Sequence, residues 1–359
     1  MRAAASVLIG FAAWAALCCT SKQPRTAAGA AQPSAAASVG AKPTECRSIT
    51  AHGRTICADT QQEDAKFQIE GPFYVNDPVH ETITLLAVQD SKYAQVDSLD
   101  GVTELIRGIF WNDDPCGQLF DSTEHLKKSK GYEWWRDFSN AEDLAKANQP
   151  FATLHCPILG RSHFGDLQFF HAMASTDGVP AKETLERVIR WAHFTYEVSL
   201  GTIDAMDPLE EAAPEVAAFI KLQPGTPLKD LFSASSRGSA QERALGSMLH
   251  LVQDSFAAGH TNRKVVAGSR RAIIQFYSYT EQDHTKHGDD DAFHGGGGPR
   301  EHIRTLKGGP EALSACITVL QMRKTGKPWS DVEKYLTDGP LALAESPLPS
   351  GPGEAYQKH

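Results

Sequence analysis

The sequence has no Cys-x-x-Cys pair, no internal repeat and no stretch of sustained strand-like alternation. Without paired thiolates, a thiolate zinc site is disfavoured, and histidines and carboxylates become the candidate metal ligands. Without period-two alternation or a hairpin signal, the expected fold class is mostly α. Positive charge is also in short supply. The chain has 35 Lys+Arg against 44 Asp+Glu, a formal net charge of -9. Such a surface disfavours salt-dependent wrapping of nucleic acid, and no stable nucleic-acid partner is expected. A nuclease is not excluded, because bound cations would bring their own positive charge to a cleft. A long membrane-spanning run is missing too. The apolar stretch Ala3 to Leu17 follows Arg2 and is too short to span comfortably. It reads as the h-region of an export signal over residues 1–19. Cys18 and Cys19 follow directly and are candidate lipid-attachment sites, so the expected location is periplasmic as a membrane-anchored lipoprotein, or secreted.

Residues 20–75 read as a flexible Ala/Ser/Pro-rich tether and N-terminal extension. Residues 76–338 read as one helical domain, and 339–359, rich in Pro and Gly, as a loose tail. Within the domain, helices are expected over Glu81–Gln89, Lys182–Met206, Ala240–Ala257 and Pro310–Arg323. Ser330-Asp-Val-Glu333 looks like a capping box that opens a last short helix. Seven cysteines are present, five of them after the signal. Export permits disulfides. Cys46 with Cys57 and Cys116 with Cys156 are candidate pairs, leaving Cys316 as a buried thiol.

What the chain does have is histidine beside carboxylate, in short clusters. In Leu249-His250-Leu-Val-Gln-Asp254-Ser-Phe-Ala-Ala-Gly-His260, His250 and Asp254 are four apart. On a helix they share a face and can aim an imidazole nitrogen and a carboxylate at one point. Leu245, Met248, Leu249, Val252 and Phe256 form a separate core-facing stripe. His287 and Asp291 repeat the four-residue spacing, with His284 as a competitor. Further clusters are Trp111-Asn-Asp113-Asp114, Ser162-His163-Phe164-Gly-Asp166 and Asn76-Asp-Pro-Val-His80. Each has a structural reading: Asn-Asp-Asp-Pro makes a good turn, and His80 could cap a helix. Asp166 could orient a ligand histidine. The glycine- and Asp-rich segment 282–300 is expected at a cleft rim.

The order and spacing of these clusters resemble the zinc-dependent phospholipase C and P1/S1 nuclease superfamily. The resemblance covers roughly residues 76 to 325 and rests on the short motifs alone. The most specific is the Leu-His-x-x-x-Asp-x-x-x-x-x-His pattern at Leu249 to His260. It implies a helical enzyme with two or three Zn²⁺ ions in one cleft. Asp113, His163, His250 and Asp254 would hold the first ion, and His260, His287 and Asp291 the second. His80 and a bridging Asp254 would hold the third, with Asp113 also serving as general base. Asp114 in place of Asp113, and His171 in place of His163, stay open. The chain departs from the family around His80, where no tryptophan precedes it in the folded part and no mature N-terminus is close. The implied activity is phosphodiester hydrolysis, with phospholipid head groups as the leading substrate. The alternatives are a single-strand nuclease and a non-catalytic surface protein that keeps the helical scaffold.

Overall fold

The computed structural model describes residues 48–51, 54–57, 79–94, 99–120, 128–266, 271–290, 292–293 and 298–358. The segment expected to be an export signal, the candidate lipidation residues Cys18 and Cys19, Cys46 and Asp291 lie outside the described residues. The described residues are mostly helical. The helices are α1 Val79–Ser91, α2 Leu99–Trp111, α3 Lys128–Lys146, α4 Pro157–Phe164, α5 Ala181–Leu200, α6 Leu209–Ala212 and α7 Pro214–Ile220, then α8 Leu228–Leu231, α9 Arg237–Asp254, α10 His284–Asp290, α11 Pro299–Thr305, α12 Gly309–Lys324 and α13 Trp329–Asp338. None of the described helices is long and apolar enough to cross a membrane.

The central helix is α9. The Ser236 side chain caps it by accepting from the Ser239 amide, which starts the helix three residues before the expected Ala240. From Arg243 to Asp254 every residue is buried, because α2, α5 and α12 pack around it. The expected single apolar stripe is therefore only part of its contact surface. Fully burying each of Leu245, Met248, Leu249 and Val252 contributes about 1.5–3 kcal/mol. Ser247, His250, Gln253 and Asp254 are buried on the same helix, and each has a hydrogen-bond or ion-pair partner.

The closest approach is between α2 and α9. A Cβ on Gly246 would lie 2.3 Å from the Leu105 carbonyl oxygen, and one on Gly108 would lie 2.2 Å from that of Arg243. Only hydrogen at both positions lets the backbones meet. The same approach brings the Ile109 carbonyl within 2.8 Å of His250 Nδ1.

Several expectations are corrected. An antiparallel hairpin, β1 Ser48–Ala51 with β2 Arg54–Cys57, lies inside the segment expected to be a flexible tether. A second hairpin, β3 Thr261–Val265 with β4 Arg271–Phe276, follows α9 and carries a register shift between Asn262 and Arg263. Its alternation is broken, since β4 buries Ala272 and Ile273 in succession, and β4 also pairs on its other side. Ile273 bridges in parallel to Leu343, and the Ile273 amide donates to Ala342 O at 2.8 Å. The segment after Asp338, expected to be loose, is thus docked: Leu341, Ala342, Ala344 and Tyr356 are buried. The last helix exists, but its N-cap is Pro328 and the Ser330–Glu333 box does not cap it. Helix α5 stops at Leu200, short of Met206. Segment 150–160 holds a short 3-10 turn at Phe151–Thr153 and the start of α4.

Cys116 is bonded to Cys156, and Cys316 is a buried free thiol. The disulfide ties the turn after Asp113 to the start of the helix that carries His163. Replacing both cysteines with serine is expected to cost about 2–4 kcal/mol, the usual range for a native crosslink. Urea melts of the two proteins measure this, and equal midpoints would contradict it.

Candidate metal centre

Asp254, at the C-terminal end of α9, is the hub. Its Oδ2 lies 2.9 Å from His171 Nδ1, 3.0 Å from His250 Nε2 and 3.7 Å from His260 Nδ1. Its Oδ1 lies 3.4 Å from His80 Nε2. Helical spacing brings His250 to it, and α1 brings His80. His260 comes from the turn after α9, where its Nδ1 meets the His171 carbonyl oxygen at 2.7 Å. The His80 and His250 rings stack with centroids 4.2 Å apart.

The proton inventory shows what this hub can do. His250 Nδ1 faces Ile109 O at 2.8 Å, and His171 Nε2 faces Asn112 O at 3.1 Å. A carbonyl oxygen only accepts, so in each neutral ring the proton sits on that outer nitrogen. The inner nitrogens, His250 Nε2 and His171 Nδ1, then carry lone pairs. They lie 3.3 Å apart and both face the Asp254 carboxylate. Such a set of acceptors repels itself unless a positive charge sits among them. Nitrogen and carboxylate oxygen are donors that Zn²⁺ takes readily. Among the described residues, two groups of ligand atoms converge closely: His80, His250 and Asp254, and Asp113, His171 and His250.

The electrostatics agree. Burial by itself would lower the basicity of His250, but Asp254 and Asp113 outweigh it and push the imidazole up to about 9. Burial would raise the Asp254 carboxyl, yet His250, His260, His80 and His171 hold it well below the usual carboxylate range. Asp113, which is only partly buried, is likewise held low, chiefly by His250 and His163. Burial dominates at His171 and lowers it to about 4. In the metal-free chain, His250 thus stabilises the fold fully below about 6.5, and this is lost as pH rises through about 9. His171 works the other way: its stabilisation is present above about 6.5 and lost as pH falls through about 4. The expected profile of the chelated protein has its maximum near pH 6.5 and falls on both sides. Thermal melts across that range test it, and a flat profile would contradict it.

The placement of the sequence-predicted residues is mixed. His80, Asp113, His250, Asp254 and His260 gather at the hub. His171, the alternative to His163, occupies the inner position. His163 lies beside it: its Nε2 is 3.8 Å from Asp113 Oδ1, and its Nδ1 faces Leu159 O at 3.0 Å. The reason is local. His163 is in the last turn of α4, whereas Gln168–His171 forms a 3-10 turn that carries His171 inward beneath α9. Asp113 also prevails over Asp114. The Asp114 carboxylate accepts from the Gln118 and Leu119 amides at 2.7 and 2.8 Å and so serves the turn. Asp166 pairs with Arg161, not with a histidine. His287 approaches His260, with ring centroids 4.8 Å apart. His284 stacks on Tyr279 and pairs with Glu142 at 3.5 Å, away from Asp254. The segment expected at the rim opens with a helix, α10, which carries both His284 and His287.

Sequence reasoning missed Gln253 and Gln282. Gln253 Oε1 meets His80 Nδ1 at 2.8 Å, and Gln282 Oε1 meets His287 Nδ1 at the same distance. Gln253 is adjacent to Asp254, but nothing in its spacing marks it as an anchor for His80. Comparison of this chain with protein-family models, with curated proteins and with solved structures gives no match.

Proposed function

We propose that this chain is a zinc-dependent phosphodiester hydrolase of the phospholipase C and P1/S1 nuclease type, acting on phospholipid head groups. The observation that carries the reading is the pair of inward lone-pair nitrogens on His171 and His250, converging on the buried Asp254 carboxylate. Asp113, His171, His250 and Asp254 would hold a first ion, His260 and His287 with Asp291 a second, and His80 with Asp254 a third. Zn²⁺ bound there supplies Lewis acidity and acidifies a water at neutral pH. The chain's own groups do the rest. Asp254 is buried and ionised, so it fixes negative charge at the centre without wandering. Asp113 is ionised too, and its side chain is 41% exposed. On this reading it would take a proton from an attacking water at the open side. The carbonyls of Ile109 and Asn112 aim the imidazoles and fix which nitrogen faces inward. Export through residues 1–19, with lipid attachment at Cys18 or Cys19, belongs to this reading and would bring the enzyme to membrane substrates.

A single-strand nuclease is the second reading. The Tyr279 ring, with its centroid 4.8 Å from that of His287, is an aromatic group beside the candidate ligands, as base stacking requires.

Metal content by elemental mass spectrometry is the first test. The purified chain is expected to carry two or three zinc ions, fewer in His250→Ala and in His287→Ala. Zero or one ion, unchanged by either substitution, would favour a non-catalytic scaffold. Phosphatidylcholine and single-stranded DNA, assayed side by side, then separate the two hydrolase readings. Ligand imidazoles must be unprotonated, so zinc is expected to leave as the pH is lowered, and activity to fall with it.

A further inference from the structure

We infer that Gln282 is a positioning residue for His287, and that through it the C-terminal segment 341–357 braces one limb of the candidate metal centre. The inference deepens the metal-centre reading above and rests on it for its purpose. Its geometry is independent of that reading. Gln282 is fully buried, ahead of α10. Its Nε2 donates to Gly259 O and to Pro352 O, each at 2.8 Å. Both partners are carbonyl oxygens and only accept, so the amide cannot turn over. Its Oε1 is thereby directed at His287 Nδ1, 2.8 Å away. That oxygen also only accepts, so the proton of the neutral ring must sit on Nδ1 and Nε2 must be the basic nitrogen. The tautomer of His287 is thus set by two backbone carbonyls it never touches.

The two carbonyls come from distant parts of the chain. Gly259 precedes His260, and its backbone passes so close that a Cβ there would lie 2.6 Å from His287 Nδ1. Pro352 belongs to the terminal segment, which is pinned nearby. The Asp283 amide donates to Tyr356 O at 2.6 Å and the Ser278 amide to Gly351 O at 3.0 Å. The Gln253–His80 contact has a similar form, but one partner of Gln253 Nε2 is the Thr84 hydroxyl, which can donate or accept. The constraint is strict only at Gln282.

The test uses the full chain with selectively labelled histidines. Long-range nitrogen NMR reads the His287 tautomer at neutral pH, and competition with a chromophoric chelator reads zinc affinity. The expected results are an Nδ1–H tautomer in the wild type, a mixed or reversed tautomer in Gln282→Leu, and a roughly 10–100-fold loss of affinity for one zinc with the others retained. Gln282→Glu still offers an acceptor to Nδ1 but turns an oxygen towards Gly259 O and Pro352 O, so it should keep the tautomer while lowering stability, a split that a packing role alone would not produce. An Nε2–H tautomer in the wild type overturns the inference even if the leucine variant fails to fold. Wild-type tautomer and affinity in a folded Gln282→Leu also overturn it. A wild type that holds no zinc but shows the tautomer change would sink the metal reading and leave the positioning role standing.

Discussion

Asp254→Asn is expected to empty the candidate centre of zinc while leaving the fold intact, and to reduce phosphodiester turnover by ~10³-fold or more, the scale on which losing a charge-stabilising group acts. The reasoning is electrostatic. Among the described residues, Asp254 is the only carboxylate that touches both converging groups of ligand atoms through short contacts, at 2.9 Å to His171 and 3.0 Å to His250. It is also buried, so no water can replace its charge. Asparagine keeps the shape, removes the charge and adds an N–H donor. That donor can satisfy the lone pair of His250 Nε2 or His171 Nδ1, which removes the need for a cation among them. Above about pH 9, where the His250 contribution is gone from the wild type as well, the metal-free variant should therefore melt close to the metal-free wild type. Asp254→Ala should melt much lower, by about 3–5 kcal/mol, since it strands the buried imidazoles that the carboxylate holds. Zinc content, turnover and chelated melts are the three readings. Unchanged zinc content and turnover in Asp254→Asn would end the hydrolase proposal.

Gly246→Ala should be the most destabilising single-methyl change in α9. The new Cβ would sit 2.3 Å from Leu105 O and 2.6 Å from Gly108 Cα. Both are backbone atoms, so neither can rotate away, and α2 as a whole must shift. The cost is expected near or above about 3 kcal/mol, the upper end for overpacking. The shift also draws Ile109 O away from His250 Nδ1, so zinc affinity should fall together with stability. Gly238→Ala, in the first turn of the same helix, is the control. A Cβ there meets nothing closer than Ser236 Oγ at 4.0 Å. Alanine should stabilise it by roughly 0.5–1 kcal/mol through chain entropy. Denaturant midpoints of the two variants should move in opposite directions. Equal, small shifts would mean that α2 and α9 are not in backbone contact.

The parts of the site legible in the sequence were those whose geometry is local. His250 and Asp254 are one helical turn apart, and a helix fixes their mutual position whatever surrounds it. The mostly helical class followed from the same periodicity. His163 and His171 could not be told apart, because the choice depends on a 3-10 turn tucked under α9. Asp113 and Asp114 are neighbours with the same chemistry. They differ only in that one accepts backbone amides in its own turn while the other faces the histidines. The β3–β4 hairpin was hidden because β4 buries Ala272 and Ile273 in succession and the pairing shifts register at Asn262 and Arg263, so neither strand alternates cleanly.

The sequence by itself determined which side chains are available for metal chemistry and their helical phase along α9. The tertiary structure alone decided which histidine enters the hub, which nitrogen of each ring points inward, and that residues after Asp338 brace the site. The physical reason is that tautomer and aim are set by carbonyls such as Ile109, Asn112, Gly259 and Pro352. Any residue type offers the same carbonyl, so its position leaves no trace in the sequence.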